Sequence, residues 1–212
     1  MTRAQAVGRN SSPGRKRQRD RTRSALIDAT QQLLAEQGVV TTIQEIAERA
    51  GVGVGSLYNH FGDKERLFEA ASREALADFE AWLIARTEGI PDSAERLSAR
   101  IRLFCGSPET HPAYSRIWTL PDTMLMAAPT TYSEKAVDDV RLVVSDRRLD
   151  CPDPRSALIM IVGACNSLLI LGNAAGRVDR EQVDAIAEEA LVLIGMPRDA
   201  AREIARRPLP SL

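Results

Sequence analysis

The feature that most narrows what this chain can become is an apolar period of three to four residues that runs along almost its whole length. Ala25, Leu26, Ala29, Leu33 and Leu34 share one helical face, which predicts a first helix over 22–37 with Gly38 as a left-handed C-cap. Thr42 with Glu45 three residues later has the spacing of a capping box. It precedes a short helix whose inner face is Ile43, Ile46, Ala47 and Ala50. Gly51 ends that helix, Val52 and Gly53 make a tight turn, and 54–60 reads as a third short helix with Leu57 and Phe61 facing inward. Gly62 breaks it, and Asp63 is placed to cap a long helix over 64–86. The same period returns over 93–104, 112–120, 130–146, 155–175, 180–194 (with Asp179 as a cap) and 199–207. No segment sustains the alternation of a strand and no Asn-Gly hairpin signal occurs, so the predicted fold is all-α.

Charge divides the chain unevenly. Residues 1–24 hold eight basic side chains and one acid, a net of +7, while the remainder holds 20 basic against 28 acidic, a net of −8. A basic arm on an acidic body points to a polyanion at one end. The first fourteen residues have no apolar period and are rich in Gly, Ser, Asn and Pro, so the arm (1–20) is expected to be disordered. The longest apolar stretch, 157–171, is interrupted by Gly163, Asn166 and Ser167 and is expected to fall short of the roughly 20 residues of a membrane span. No apolar segment follows the N-terminal arginines, so no secretory signal is expected. Cys105, Cys151 and Cys165 are odd in number and widely spaced, which gives neither a disulfide framework nor a zinc site and agrees with a cytoplasmic location. His60 and His111 have no metal-ligand spacing, and no nucleophile elbow or phosphate loop occurs. Cys105 reads as a core thiol. The expectation is therefore a protein that is not an enzyme and carries neither metal nor cofactor.

Two short helices joined at a glycine turn make a helix-turn-helix. Small Ala47 and Ala50 let the third helix pack close across the second, and Ile43, Ile46, Val52 and Leu57 bury against the first. The outer face of the third helix is then left with Gly55, Ser56, Tyr58, Asn59 and His60, short or amphipathic polar groups able to enter a major groove. Tyr58 can serve both as a half-buried anchor and as a polar tip. Thr42 and Lys64 begin helices whose free N–H groups suit phosphate.

The stretch from Thr41 to Phe68, TTIQEIAERAGVGVGSLYNHFGDKERLF, closely resembles the DNA-binding signature of the tetracycline-repressor (TetR) family. Ile46, Ala47, Ala50, Gly51, Val52, Leu57, Tyr58, His60, Phe61, Lys64, Glu65 and Leu67 carry the likeness, which extends over 22–70. The resemblance implies a dimeric transcription factor, in most of the family a repressor. Its architecture would be a disordered arm (1–20), a three-helix DNA-binding domain (21–68) and a larger helical domain (69–212) that dimerises and binds a small ligand. It further implies that Thr42, Tyr58, His60 and Lys64 touch phosphates, that Gly55 lets the recognition helix approach the backbone, and that Val54, Ser56 and Asn59 face the bases. One departure stands out: the recognition helix holds no Arg or Lys, so the bidentate contact to guanine is missing. Asn59 is suited to adenine and Val54 to a thymine methyl. Arg15 to Arg23, with Arg15, Lys16 and Arg17 as the candidate contacts, are placed to reach an adjacent minor groove.

Towards the C-terminus, 155–175 is apolar on several faces, which places it either in the core or under a partner subunit. With 180–194 it would supply the family's four-helix homodimer interface, for which Gly163, Ser167, Leu171, Ile186 and Leu193 are the candidate residues. A two-fold dimer would match a pseudo-palindromic site on double-stranded DNA. Phe104, Trp118, Met124 and Tyr132 are the candidates for lining a pocket for an unidentified, largely apolar effector, with His111 and Arg102 as further polar groups. The 64–86 helix would be the lever between the two regions. The competing reading is a ligand-binding or adaptor protein of the same fold without operator binding.

Overall fold

The structure, a computed structural model, describes residues 13–121, 123 and 134–210. Among these, eleven α-helices and one 3-10 turn account for the regular structure, and there is no strand. The N-terminal helices are α1 (Pro13–Gln37), α2 (Ile43–Arg49) and α3 (Val54–Phe61), with the 3-10 turn Gly38–Val40 between the first two. The long α4 (Lys64–Thr87) follows, then α5 (Ser93–Cys105), α6 (Ser107–Thr110) and α7 (Pro112–Trp118). The last four are α8 (Glu134–Arg147), α9 (Pro154–Ala175), α10 (Arg180–Leu193) and α11 (Arg198–Ala205).

Helix starts follow local chemistry. Thr42 and Glu45 form a reciprocal capping box. Asp63 accepts from Arg66 N at 2.8 Å and Asp179 from Glu181 N at 3.0 Å. Asp92 and Asp153 cap α5 and α9 in the same way. Each such cap contributes about 1 kcal/mol. Gly38 and Gly51 take positive φ (70° and 66°), the backbone that ends α1 and α2.

The apolar residues gather in three clusters. Leu26, Ile27, Leu33, Ile46, Leu57 and Leu67 close the three-helix head over the start of α4. A larger cluster joins α5, α8, α9, α10 and α11. The third is aromatic, with Phe79 of α4, Tyr114 and Trp118 of α7, and Leu169 of α9. Helix α7 also packs on α1, where Arg116 Nη1 donates to Ala35 O at 2.8 Å.

Two expectations need correcting. The arm was expected to be disordered through residue 20, but α1 starts at Pro13. Arg, Lys and Gln are strong helix formers, and proline suits a first helical position, so propensity extends the helix where no apolar period signals it. Residues 1–12 lie outside the described residues. The apolar stretch near 157–171 was expected to be too short for a span, yet α9 has 22 residues and a mean hydropathy of 1.9 over its most apolar window. Its length and composition suffice for a membrane span, and 44% of that window is buried inside the protein. The core covers only part of α9, and Ile159, Met160, Ile170 and Leu171 are exposed, which is compatible with the expectation of a position in the core or under a partner subunit.

Candidate nucleic-acid interface and apolar cavity

Helices α2 and α3 meet at Gly51, where Val52 N donates to Ala47 O at 2.9 Å and closes the end of α2. Leu57 and Phe61 turn inward and are buried. The opposite side of α3 presents Gly55, Tyr58 and Asn59 to solvent, with Val54, Ser56 and His60 partly exposed beside them. Tyr58 is 50% exposed, too open for a purely structural anchor. A Cβ built on Gly55 would meet nothing within 4 Å, so no contact inside the protein requires a glycine there.

Thr42 and Lys64 are both engaged internally. The Thr42 hydroxyl donates to Glu45 Oε2 at 2.7 Å and accepts from Glu45 N at 3.3 Å. Lys64 Nζ donates to Val39 O at 3.2 Å and lies 4.8 Å from the Phe68 ring centroid. A phosphate at either position would have to share or replace these bonds. Val39 and Val40 stand exposed next to Lys64, a feature that the sequence reading did not single out.

Arg15, Lys16 and Arg17 are exposed on the first turns of α1. One and two turns further along, Arg19 and Arg23 come close enough to His60 for their charges to act on it. Burial, followed by Arg19 and Arg23, holds the His60 imidazole below its ordinary range. Arg23 also pairs with Glu74 at 2.7 Å and lies over the Phe61 ring at 5.7 Å. The basic part of α1 therefore flanks the far end of α3. The nearness of Arg19 to His60 had no signal in the sequence, because the two are 41 positions apart.

In the body, α4, α5, α7, α8 and α9 line an open cavity of about 390 Å³. Phe104 and Trp118, two of the four expected pocket residues, line it together with Phe79, Tyr114, Leu76 and Ile161. Met124 and Tyr132 lie outside the described residues. Phe79 and Tyr114 stack at 3.8 Å, and Phe104 meets Trp118 edge-on at 5.3 Å. Burial pushes the Tyr114 hydroxyl far above its ordinary pKa, with the Glu80 charge a lesser cause. Neither polar candidate lines this cavity. Arg102 pairs with Asp184 at 2.6 Å and donates to Arg207 O at 2.7 Å. His111 packs against Trp82 and Phe79 in a separate cleft facing α1, and burial with the Arg86 charge keeps it below its ordinary pKa.

Cys165 reaches the cavity wall, and Cys105 is fully buried. Its hydrogen bond with Cys165, then burial, holds the Cys105 thiol well above its ordinary range, unlike an activated nucleophile. No group of three His, Cys, Asp or Glu side chains among the described residues is placed to hold a metal.

On the outside of the body, Gly163, Ser167 and Leu171 of α9 lie on one exposed stripe, and Leu193 of α10 is exposed and Ile186 half-buried. A shallow apolar groove runs between the two helices along Met160, Ala164, Ile186 and Leu193.

Comparison with known proteins agrees with this arrangement. A family model described as "Bacterial regulatory proteins, tetR family" matches residues 26–71, and one described as "Tetracyclin repressor-like, C-terminal domain" matches 92–207. The HTH-type transcriptional repressor KstR2 of Mycobacterium tuberculosis is 38% identical over 89 residues, 41% of this chain. The chain spans 42% of the length of that relative. The HTH-type transcriptional regulator BetI of Escherichia coli is 30% identical over 136 residues, covering 61% of this chain and 70% of BetI. Among solved structures, RolR in complex with resorcinol is similar over 93% of this chain and 99% of its own, with a TM-score of 0.72 and 26% identity.

Proposed function

The chain belongs to the tetR family of bacterial regulatory proteins, and on that premise we propose that it is a sequence-specific DNA-binding transcriptional regulator, a ligand-responsive repressor that acts as a homodimer on a pseudo-palindromic operator. The observation that carries this reading is the outer face of α3. Gly55, Tyr58 and Asn59 are exposed on a helix whose inner face is closed by Leu57 and Phe61. Nothing inside the protein requires a side chain as small as Gly55. In this reading residues 21–68 are the DNA-binding unit and 69–212 the effector and dimer unit. Thr42, Tyr58, His60 and Lys64 hold phosphates, while Val54, Ser56 and Asn59 read base edges. Arg15, Lys16 and Arg17 supply the positive charge that α3 lacks.

The cavity of about 390 Å³ is the proposed effector site. The support is its aromatic wall together with the likeness to a protein whose structure holds resorcinol. Both α4 and α7 border the cavity and touch the head, so they are the elements through which an effector would change the spacing of two heads. Only an effector that binds the two spacings with different affinity can do so. The exposed stripe of α9 with α10 is the proposed dimer face, through Gly163, Ser167, Leu171, Ile186 and Leu193.

Retention of genomic DNA fragments by the purified protein tests the function. Wild type should retain a sequence-selected set at physiological salt, and the Tyr58→Ala/Asn59→Ala double variant should fold normally and lose it. Equal retention by both proteins would remove α3 as the reading helix. A folded wild type that retains no DNA would favour the adaptor reading.

A further inference from the structure

The charges around the cavity do not balance. Arg100 donates from Nε to Thr87 Oγ1 at 3.0 Å and from Nη1 to Asp139 Oδ2 at 2.9 Å, so its charge is already matched by a carboxylate. Arg73 is paired with Glu69 one turn earlier on α4. Glu80, two turns beyond Arg73 and also at the cavity, has no ion-pair partner among the described residues. Its negative charge reaches Tyr114 across the opening. The Trp118 indole N–H is spent on Asn166 Oδ1 at 2.8 Å. What remains among the described residues for an entering molecule is a wall of aromatic and aliphatic side chains, the Tyr114 hydroxyl, one carboxylate acceptor and no unmatched cation.

Resting on the reading that this cavity takes the effector, we propose that Glu80 sets its chemical class: an uncharged, ring-bearing apolar compound whose hydroxyl donates to the Glu80 carboxylate, with carboxylate-bearing analogues excluded. An anion entering here would meet Glu80 as a like charge and find both guanidinium groups already paired. An ammonium would gain attraction from Glu80 but would surrender its hydration to apolar walls that return few hydrogen bonds. A neutral hydroxyl satisfies the acceptor without either cost. The volume of about 390 Å³ suits a small ring system.

Three probes that share one ring system test this: 2-naphthylmethanol, 2-naphthoate and 2-naphthylmethylammonium, each titrated calorimetrically into the full chain. In the wild-type protein the alcohol should bind tightest and the carboxylate weaker by at least about tenfold, the scale of a partly screened like-charge contact. Glu80→Gln should narrow the alcohol-to-carboxylate ratio by a similar factor. Glu80 is exposed, so its substitution should leave the thermal melt unchanged. Equal affinity for alcohol and carboxylate, or a ratio unmoved by Glu80→Gln, would overturn the role of Glu80 while leaving the cavity reading in place. Tightest binding by the ammonium would overturn the uncharged class. If none of the three bound, the cavity reading itself would fall and the proposal with it.

Discussion

Gly55 and Gly172 both sit within helices, and a Cβ at each would meet different surroundings. At Gly172 it would come within 2.5 Å of Val178 Cγ1 and 3.0 Å of Pro108 Cγ, so that glycine belongs to the packing of α9 inside the chain. At Gly55 it would enter open space. Gly55→Ala should therefore leave stability unchanged or raise it by up to about 1 kcal/mol through helix propensity, yet weaken operator binding. Gly172→Ala should cost about 1–3 kcal/mol. Thermal melts with DNA titrations check both, and a Gly55→Ala protein that binds DNA normally would remove close approach as the reason for that glycine. His60 gives a pH signature. Burial and the charges of Arg19 and Arg23 hold its pKa below the ordinary 6.5, so the free protein carries it neutral at pH 7. A phosphate beside it would raise that pKa, so binding would take up a proton and affinity should increase as pH falls from 7 to about 6. The fold responds in the opposite sense: the stability tied to a depressed imidazole is full above 6.5 and is lost as pH falls through the folded-state value. His60→Gln should flatten the binding profile between pH 7 and 6, and an unaltered profile would place His60 away from phosphate.

At the scale of elements, α1 is where sequence and structure part most. The caps Thr42, Asp63 and Asp179 were legible because a capping side chain bonds to backbone two or three residues on, within one stretch of sequence. The first two turns of α1 were not, since Arg15–Arg19 hold the helix through propensity and touch no core that would impose an apolar period. Ser107–Thr110 escaped notice for a related reason: four residues are too few to show a period. The cavity was half legible. Phe104 and Trp118 stood out as aromatics on short segments, whereas Glu80 and Arg100 matter only because α4 and α5 bring them to one opening. A helical rather than disordered arm also gives the basic residues a fixed direction beside α3. Neutralising Arg15, Lys16 and Arg17 in the full chain should lower DNA affinity. It should also reduce the magnitude of the slope of log K against log salt by about 2.7, for three lost phosphate contacts. An unchanged slope would mean that these three side chains do not meet DNA.

For the molecule as a whole, the claim is that two copies act together. Helix α9 has one face in the core, through Leu158, Ile161, Cys165, Leu168 and Leu169, and another that leaves Met160, Ile170 and Leu171 in solvent. That second face is what a matching copy would cover. Leu171→Glu should leave the fold intact, convert a dimer into monomers in sedimentation, and cost at least about a hundredfold in operator affinity through lost bivalency. A variant that sediments as wild type would move the dimer face elsewhere. The most direct test of the central claim is selection of fragmented genomic DNA by the purified protein at physiological salt, with the bound fragments sequenced. Enrichment of a few pseudo-palindromes beside promoters, with half-sites about one helical turn or a multiple of it apart, is the predicted result. Recovery of fragments without sequence preference, or of none, would contradict it.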